Sequence, residues 1–524
     1  MSCLVQARIC LIVIAAYLFT FSASASDTLR CAPPPLPGSV GNVAALIMCI
    51  NNANAFGGGV IDLGGFTYTL TSGPFESSLG DGPNGLPDIL STITIQNGTI
   101  TRDPSSASFR ILHVSPPGSL SLKGVTLSNG NDASGNGGGA ILVALGGILG
   151  TVQESVFSDN QTSFDVFFGD GGAINLIGEF FAIEKTVFSN NFAASQGGAI
   201  STSSVLGEGT ISESIFVANN GAFGGGAIAL QPGASISGIV SSSFIANVST
   251  PDGDGAILLV EFNEITFIDR SSFSFNTAAG SGGAISIEAG PEPGSTIGTV
   301  SNSTFNNNQA QSDEGGAISV ELNGSITTIY NCTFNQNLAQ SGGAVAIDGF
   351  VAQFFNNTVV GNQASIEGGG IFLDGTIGEM VSNIVAGNLN TSTMPATEDD
   401  VFLIRGGTIT SFSFNLIGSN ANNLFVDGVD GNIVGTPSAP IDPNVGVLRD
   451  NGGPTFTMAP LTNSPAIGAG DNPLGLEHDQ RGRGFARTIH AQTDIGAVEV
   501  QRPRQCPCRP EDRCRPDDCR DHQP

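Results

Sequence analysis

The tetrapeptide Gly-Gly-Ala-Ile begins at Gly138, Gly171, Gly197, Gly225, Gly282 and Gly315, with near-copies at Asp254, Gly342 and Gly368. Between the copies runs a second motif, Phe-x-x-Asn, starting at Phe157, Phe188, Phe216, Phe244, Phe273, Phe305 and Phe334. It continues with an aliphatic first residue in the segments ending at Asn362 and Asn388. Successive copies of the first motif lie 26 to 33 residues apart. A catalytic loop is written once. A pair of motifs rewritten at this period is the building unit of a solenoid.

The segments between the motifs decide which solenoid. They are short, alternating and rich in β-branched residues, as in GTVSNSTF (298–305) and GSITTIYNCTF (324–334), with glycine at the joints. Alternation argues strands and glycine argues tight turns. A repeat of this length holds about three strands of four to six residues. The expected fold is all-β: a single-stranded parallel β-helix.

Each column of the repeat has a physical reading on that fold. Phe stacked on Phe lines the interior at the strand spacing of ~4.8 Å. Two residues earlier stand Ser155, Thr186, Ser214, Ser242, Ser271, Ser303 and Cys332. Residues two apart on a strand share a face, so these point inward and Cys332 is a buried substitute for serine. Three residues after Phe stand Asn160, Asn191, Asn219, Asn247, Asn276, Asn308 and Asn337. Asparagine tolerates the left-handed backbone of a sharp bend, and its amide can form a ladder with copies of itself. The paired glycines, such as Gly171-Gly172 and Gly197-Gly198, are expected at a second corner that excludes a Cβ.

Composition narrows the class of partner. The 524 residues carry a net charge of −28, which repels nucleic acid and anionic lipid. Residues 1–25 read as a secretory signal: Arg8, an apolar run of 14 residues (10–23), then Ala23-Ser24-Ala25. An exported chain meets an oxidising compartment, so Cys31, Cys49, Cys506, Cys508, Cys514 and Cys519 are disulfide candidates, with Cys31 to Cys49 clipping an N-terminal cap. No later apolar run reaches the length of a membrane span.

The alternating motifs over about 135–390 resemble the chlamydial polymorphic membrane proteins and the wider group of bacterial β-helix proteins that share the repeat. The stretch DPNVGVLRDNGGPTFTMAPLTNSPAIGAGDN with DQRGRGFAR and DIGAVE, about Asp442 to Glu499, is similar to the choice-of-anchor Q region. The resemblance implies a right-handed, pectate-lyase-like β-helix and a cell-surface, outer-membrane or secreted protein, and it brings no shared catalytic activity. The large C-terminal barrel of that family has no room in the 25 residues after Glu499. The organisation is then 1–25 signal; 26–137 cap and first coils; 138–390 repeats; 391–499 last coils and a Q-like cap; and 500–524 a tail rich in Cys, Arg and Pro.

The leading expectation is a non-enzymatic adhesin or envelope surface protein whose partner is a surface glycan or a host or envelope protein. The alternative is a carbohydrate-active β-helix enzyme, either a lyase or a hydrolase. A lyase wants a basic residue and acids for Ca²⁺, yet between 115 and 400 the basic residues are only Lys123, Lys185 and Arg270. A hydrolase needs two carboxyls, for which Asp313-Glu314 and Asp399-Asp400 are candidates. Asp170, Asp252 and Asp254 sit in glycine-rich corners and offer at most a loose Ca²⁺ site; no cofactor is expected. His478, Asp479, Arg481, Arg483 and Asp494 read as a hydrogen-bonded cap on the last coil. The tail, without apolar periodicity, is expected to be irregular and to act through its four cysteines as an attachment device.

Overall fold

A computed structural model describes residues 30–501, apart from 33–39, 77–79, 164–168, 204–208, 252, 405 and 422. The signal segment and the tail, with Cys506, Cys508, Cys514 and Cys519, lie outside the described residues. A short strand, Arg30–Cys31, pairs with Gly58–Asp62 and is followed by an α-helix, Val43–Phe56. Asn42 caps it by accepting the Ala45 N–H at 3.1 Å, and Gly57 ends it in the left-handed conformation. Its buried face is Leu46, Cys49, Ile50 and Ala53, the spacing of one helical stripe. That stripe covers the core of the first coil. A disulfide joins Cys49 to Cys31, 18 residues earlier.

From Gly58 onward the chain winds as a parallel β-solenoid of about 13 turns. After the first turns, each turn supplies strands to three sheets, parallel throughout but for the pairing of Leu389–Asn390 with Thr397–Glu398. In one turn, Ile228–Leu230 lies in the glycine-motif sheet, Ser235–Val240 and Ser243–Ile245 in the long sheet, and Val248–Ser249 in a third, short-strand sheet. Pairing is in register: Ile200, Ile228, Ile257 and Ile285 oppose one another on successive turns. The register is what turns a repeated letter into a physical column.

Phe157, Phe188, Phe216, Phe244, Phe273, Phe305 and Phe334 form one continuous stack, with ring centroids 4.7–4.9 Å apart. All seven are fully buried, each contributing roughly 2–3 kcal/mol of apolar burial. The asparagine column is a true ladder. Asn247 Nδ2 donates to Asn276 Oδ1 at 3.0 Å and to the Phe216 carbonyl at 2.9 Å, while its Oδ1 accepts from the Asn219 backbone and side chain. The ladder runs from Asn160 to Asn388 and ends on the carboxylate of Asp400.

The left-handed residue at the bend is not the ladder asparagine but the one before it: Asp159, Asn190, Ala218, Ala246, Phe275, Asn307 and Gln336. The reason is geometric. The bend must turn the chain so that the following amide points inward, and the ladder bonds need that inward amide. The serine column behaves similarly, each backbone N–H donating to the hydroxyl of the next turn, as from Ser214 to Ser242 at 3.2 Å. Cys332 continues it as a buried free thiol, after which Asn357, Asn383, Asn415 and Asn432 form a second amide ladder. At the glycine corner the two residues differ in role. Gly197 and Gly225 have φ of 70° and 57°, whereas a Cβ on Gly198 would lie 2.2 Å from the Gly226 carbonyl oxygen.

Phe425 and Val434 join the core at the last turn, with Leu424 packed against it. The segment after Asp442 does not continue this end cover, as a terminal cap would. It returns along the side of the shaft as a strap. Thr455 Oγ1 donates to the Asn302 carbonyl, Asn356 Nδ2 to the Asp471 carbonyl, and the Ala497 N–H to Thr358 Oγ1. Gln480 is the central pin, bonded to Thr333 Oγ1, Thr304 Oγ1 and the Ser303 carbonyl.

Candidate functional site

The outer face of the glycine-motif sheet carries the strongest electrostatic anomaly. In Ile285–Ile287, Ile318–Val320 and Val345–Ile347 the first and third residues enter the core, so Ser286, Ser319 and Ala346 face outward. The residues that follow these strands and Ile371–Leu373 are Glu288, Glu321, Asp348 and Asp374, and the pairing stacks them in one column. Asp254 and Glu314 stand on the opposite side, before the glycines. Two acid rows therefore flank one narrow strip of sheet.

Four of these carboxyls, Asp254, Glu288, Glu314 and Asp348, are held toward their neutral forms. Burial, then the charges of Asp348, Asp313, Glu321 and Asp374, pushes Glu314 up to about 8. Burial likewise raises Asp254 and Glu288 to about 7 and Asp348 to about 6, with neighbouring acids adding to each. The basic side chains of the shaft are elsewhere: Lys185 sits 3.8 Å from Glu213 and Arg270 2.7 Å from Asp269. Among the described residues no three His, Cys, Asp or Glu side chains converge as ligands of one metal ion. Asp170 accepts the Gln196 N–H and Asp254 the Ser281 N–H, while Asp252 lies outside the described residues.

Of the two acid pairs noted in the sequence, Asp313-Glu314 belongs to this strip. Asp399 and Asp400 do not. Asp399 accepts the Gly368 N–H, and Asp400 is the buried end of the asparagine ladder, receiving N–H bonds from Asn388 and Ser419. A strip of clustered carboxyls, four of which hold their protons toward neutral pH, has the makings of acid–base chemistry. Its floor is closed, however: Ser286 and Ser319 are 0% and 2% exposed, so no polymer reaches them.

A second cluster escaped the sequence reading. His113, in Leu112–Val114, is fully buried with Nδ1 3.1 Å from Asp88 and 3.0 Å from Ser115 Oγ, and Nε2 3.2 Å from Asp81. Ser115 Oγ donates to Asp88 at 2.9 Å. Arg110, also buried, pairs with Asp132 at 3.0 Å and bonds Asn84 and the Gly137 carbonyl. The residue types suggest a nucleophile, but Ser115 is 2% exposed and committed to a carboxylate. The cluster clamps the segment around Asp81–Asp88 onto the first coils. Its signal was present in FRILHV, where Arg and His interrupt an apolar strand.

The C-terminal polar group is an internal knot of the strap. Asp479 binds the Arg481 guanidinium and the Glu499 N–H, and Asp494 accepts the Gly468 and Val500 N–H groups. Arg487, which the sequence reading did not single out, is buried at its centre and donates to the Asp494 carbonyl at 2.7 Å. His478 and Arg483 border a shallow hollow beside Asn331. Asp479, Arg481 and Asp494 thus share one network through Glu499, and it lies on the flank of the shaft instead of capping the last coil.

The Chlamydia polymorphic membrane protein repeat matches residues 185–203 and 302–321. No curated protein gives a significant match. Among solved structures, the tailspike protein of E. coli bacteriophage HK620 in complex with a pentasaccharide is similar at 12% identity over 77% of this chain and 78% of that one, with a TM-score of 0.40. The endo-xylogalacturonan hydrolase from Aspergillus tubingensis is similar at 14% identity over 78% of this chain and 100% of that one, with a TM-score of 0.28. The chain is a parallel β-solenoid, two segments of which match the Chlamydia polymorphic membrane protein repeat.

Proposed function

We propose that the chain is an exported β-helix displayed at the cell surface, where it works by adhesion. The observation that carries this reading is the assignment of its polar groups. The described clusters capable of chemistry are closed or spent: the acid strip has a buried floor, His113 and Ser115 are locked between carboxylates, and the C-terminal group is an internal knot. The surface-type repeat on the coils supports display. A rigid shaft presents many shallow contacts at once, which is how weak sites sum to firm attachment. The partner is a surface glycan or a host or envelope protein. The tail cysteines would supply the attachment to the producing cell. The test is adhesion of beads coated with the mature chain to candidate target cells, competed by soluble chain. Beads that adhere no better than albumin-coated beads would refute the reading.

One observation favours hydrolysis as a second reading: Glu314 holds its proton to about 8 beside acids that add their charge to it. Release of reducing ends from neutral glycans by the purified chain, lost in Glu314→Gln, would establish that reading in place of the first.

A further inference from the structure

Nearly all turns of the solenoid place a small or polar residue at the left-handed bend before the ladder asparagine: Asp159, Asn190, Ala218, Ala246, Asn307, Gln336, then Gly361 and Gly387. One turn places Phe275 there, at φ 58°. A bulky side chain is disfavoured on this backbone, and strain of this kind is tolerated where a site uses it. Burial does not compensate, because the ring is 58% exposed. Two other phenylalanines share the conformation. Phe414 packs on Gly431, and Phe262 lies on a turn that does not line the cavity described next.

Phe275 borders a cleft of about 260 Å³ between the shaft and the strap. Phe456, 56% exposed, borders it from the strap, with Leu448 and Pro454 beside it. The strap is pinned at this point: Thr304 Oγ1 donates to the Phe456 carbonyl at 2.6 Å, and Thr455 Oγ1 to the Asn302 carbonyl at 3.1 Å. The strap backbone that carries Phe456 is therefore held beside the shaft. The polar part of the lining includes Ser274 and Asn306, and Asn306 Oδ1 is a buried acceptor with no hydrogen-bond partner. None of the lining side chains is ionisable.

We propose that this cleft binds one pyranose unit of a neutral glycan. A pyranose ring offers an apolar C–H face to phenyl rings and hydroxyls to the Ser272, Ser274 and Asn306 side chains, which matches both halves of the lining. An uncharged ligand matches a lining without charge in a chain of net charge −28. The volume lies below the ~300–1,000 Å³ of sites for drug-sized ligands, which sets the unit at one sugar ring of a longer chain. The proposal rests on the display reading, in that it names the partner class, and it is independent of the acid strip.

The test is titration of the mature chain with cello-, malto-, manno- and chitohexaose, followed by saturation-transfer NMR and calorimetry. At least one hexaose is expected to bind at millimolar concentration or below. Phe275→Gly should weaken that binding at least tenfold while the melting temperature stays equal or rises, since glycine relieves the left-handed strain. Phe456→Ala, on the strap, provides the second arm and should weaken it comparably. A wild-type chain that binds none of the four overturns the glycan inference, and its adhesion to cells in the bead assay would leave the display reading standing. Binding that persists unchanged in Phe275→Gly or in Phe456→Ala overturns the assignment to this cleft.

Discussion

Asn247 shows how much rests on one side chain. It donates to Phe216 and Asn276 and accepts twice from Asn219, all without solvent. Asn247→Ala leaves several buried groups unpaired at ~1–3 kcal/mol each, so a loss of about 3–5 kcal/mol is expected. Equilibrium denaturation of the variant measures it, and a loss below ~1 kcal/mol would mean the ladder relaxes around the gap. This column was legible because one residue type recurs at it. The bend itself was not, because Asp, Asn, Ala, Phe and Gln all occupy it. A backbone conformation shared by unlike residues leaves no letter to read, and the reading gave the bend to the neighbour that does repeat.

The acid strip belongs to the scale of elements, and so does its titration. Asp254, Glu288, Glu314 and Asp348 hold protons in the folded chain that the unfolded chain releases near pH 4. Their contribution to stability is complete below that pH and is lost as pH rises through about 6 to 8. Buried Asp400 and Glu499, each raised to about 8, act in the same direction. The melting temperature should therefore be higher at pH 5 than at pH 8.5. Glu314→Gln should flatten that slope in part, and a slope identical to wild type would show that Glu314 is ionised throughout. Asp313-Glu314 was visible beforehand as sequence neighbours, and Asp254 as an acid in a glycine-rich corner. Glu288, Glu321, Asp348 and Asp374 are separated by 33, 27 and 26 residues, so only the strand register aligns them. His113 occurs once and had no column to reveal it.

On the scale of the whole molecule the shaft and the strap were legible to different degrees. The shaft follows from local repeats. The strap depends on contacts such as Thr333 with Gln480, 147 residues apart, that no period announces. Gln480→Ala should therefore raise hydrogen exchange across 442–500 and leave exchange in the repeat strands unchanged. Equal protection of the strap in variant and wild type would show that Gln480 is not its pin. The central claim, display at the surface, has a handle in composition. The chain has two lysines, Lys123 and Lys185, and the Lys185 side chain is 51% exposed. The direct measurement is labelling of intact producing cells with a membrane-impermeant amine reagent, read at Lys185 by mass spectrometry. The account predicts the same labelling of Lys185 on intact cells as on purified protein. Labelling that appears only after the cells are permeabilised would contradict it.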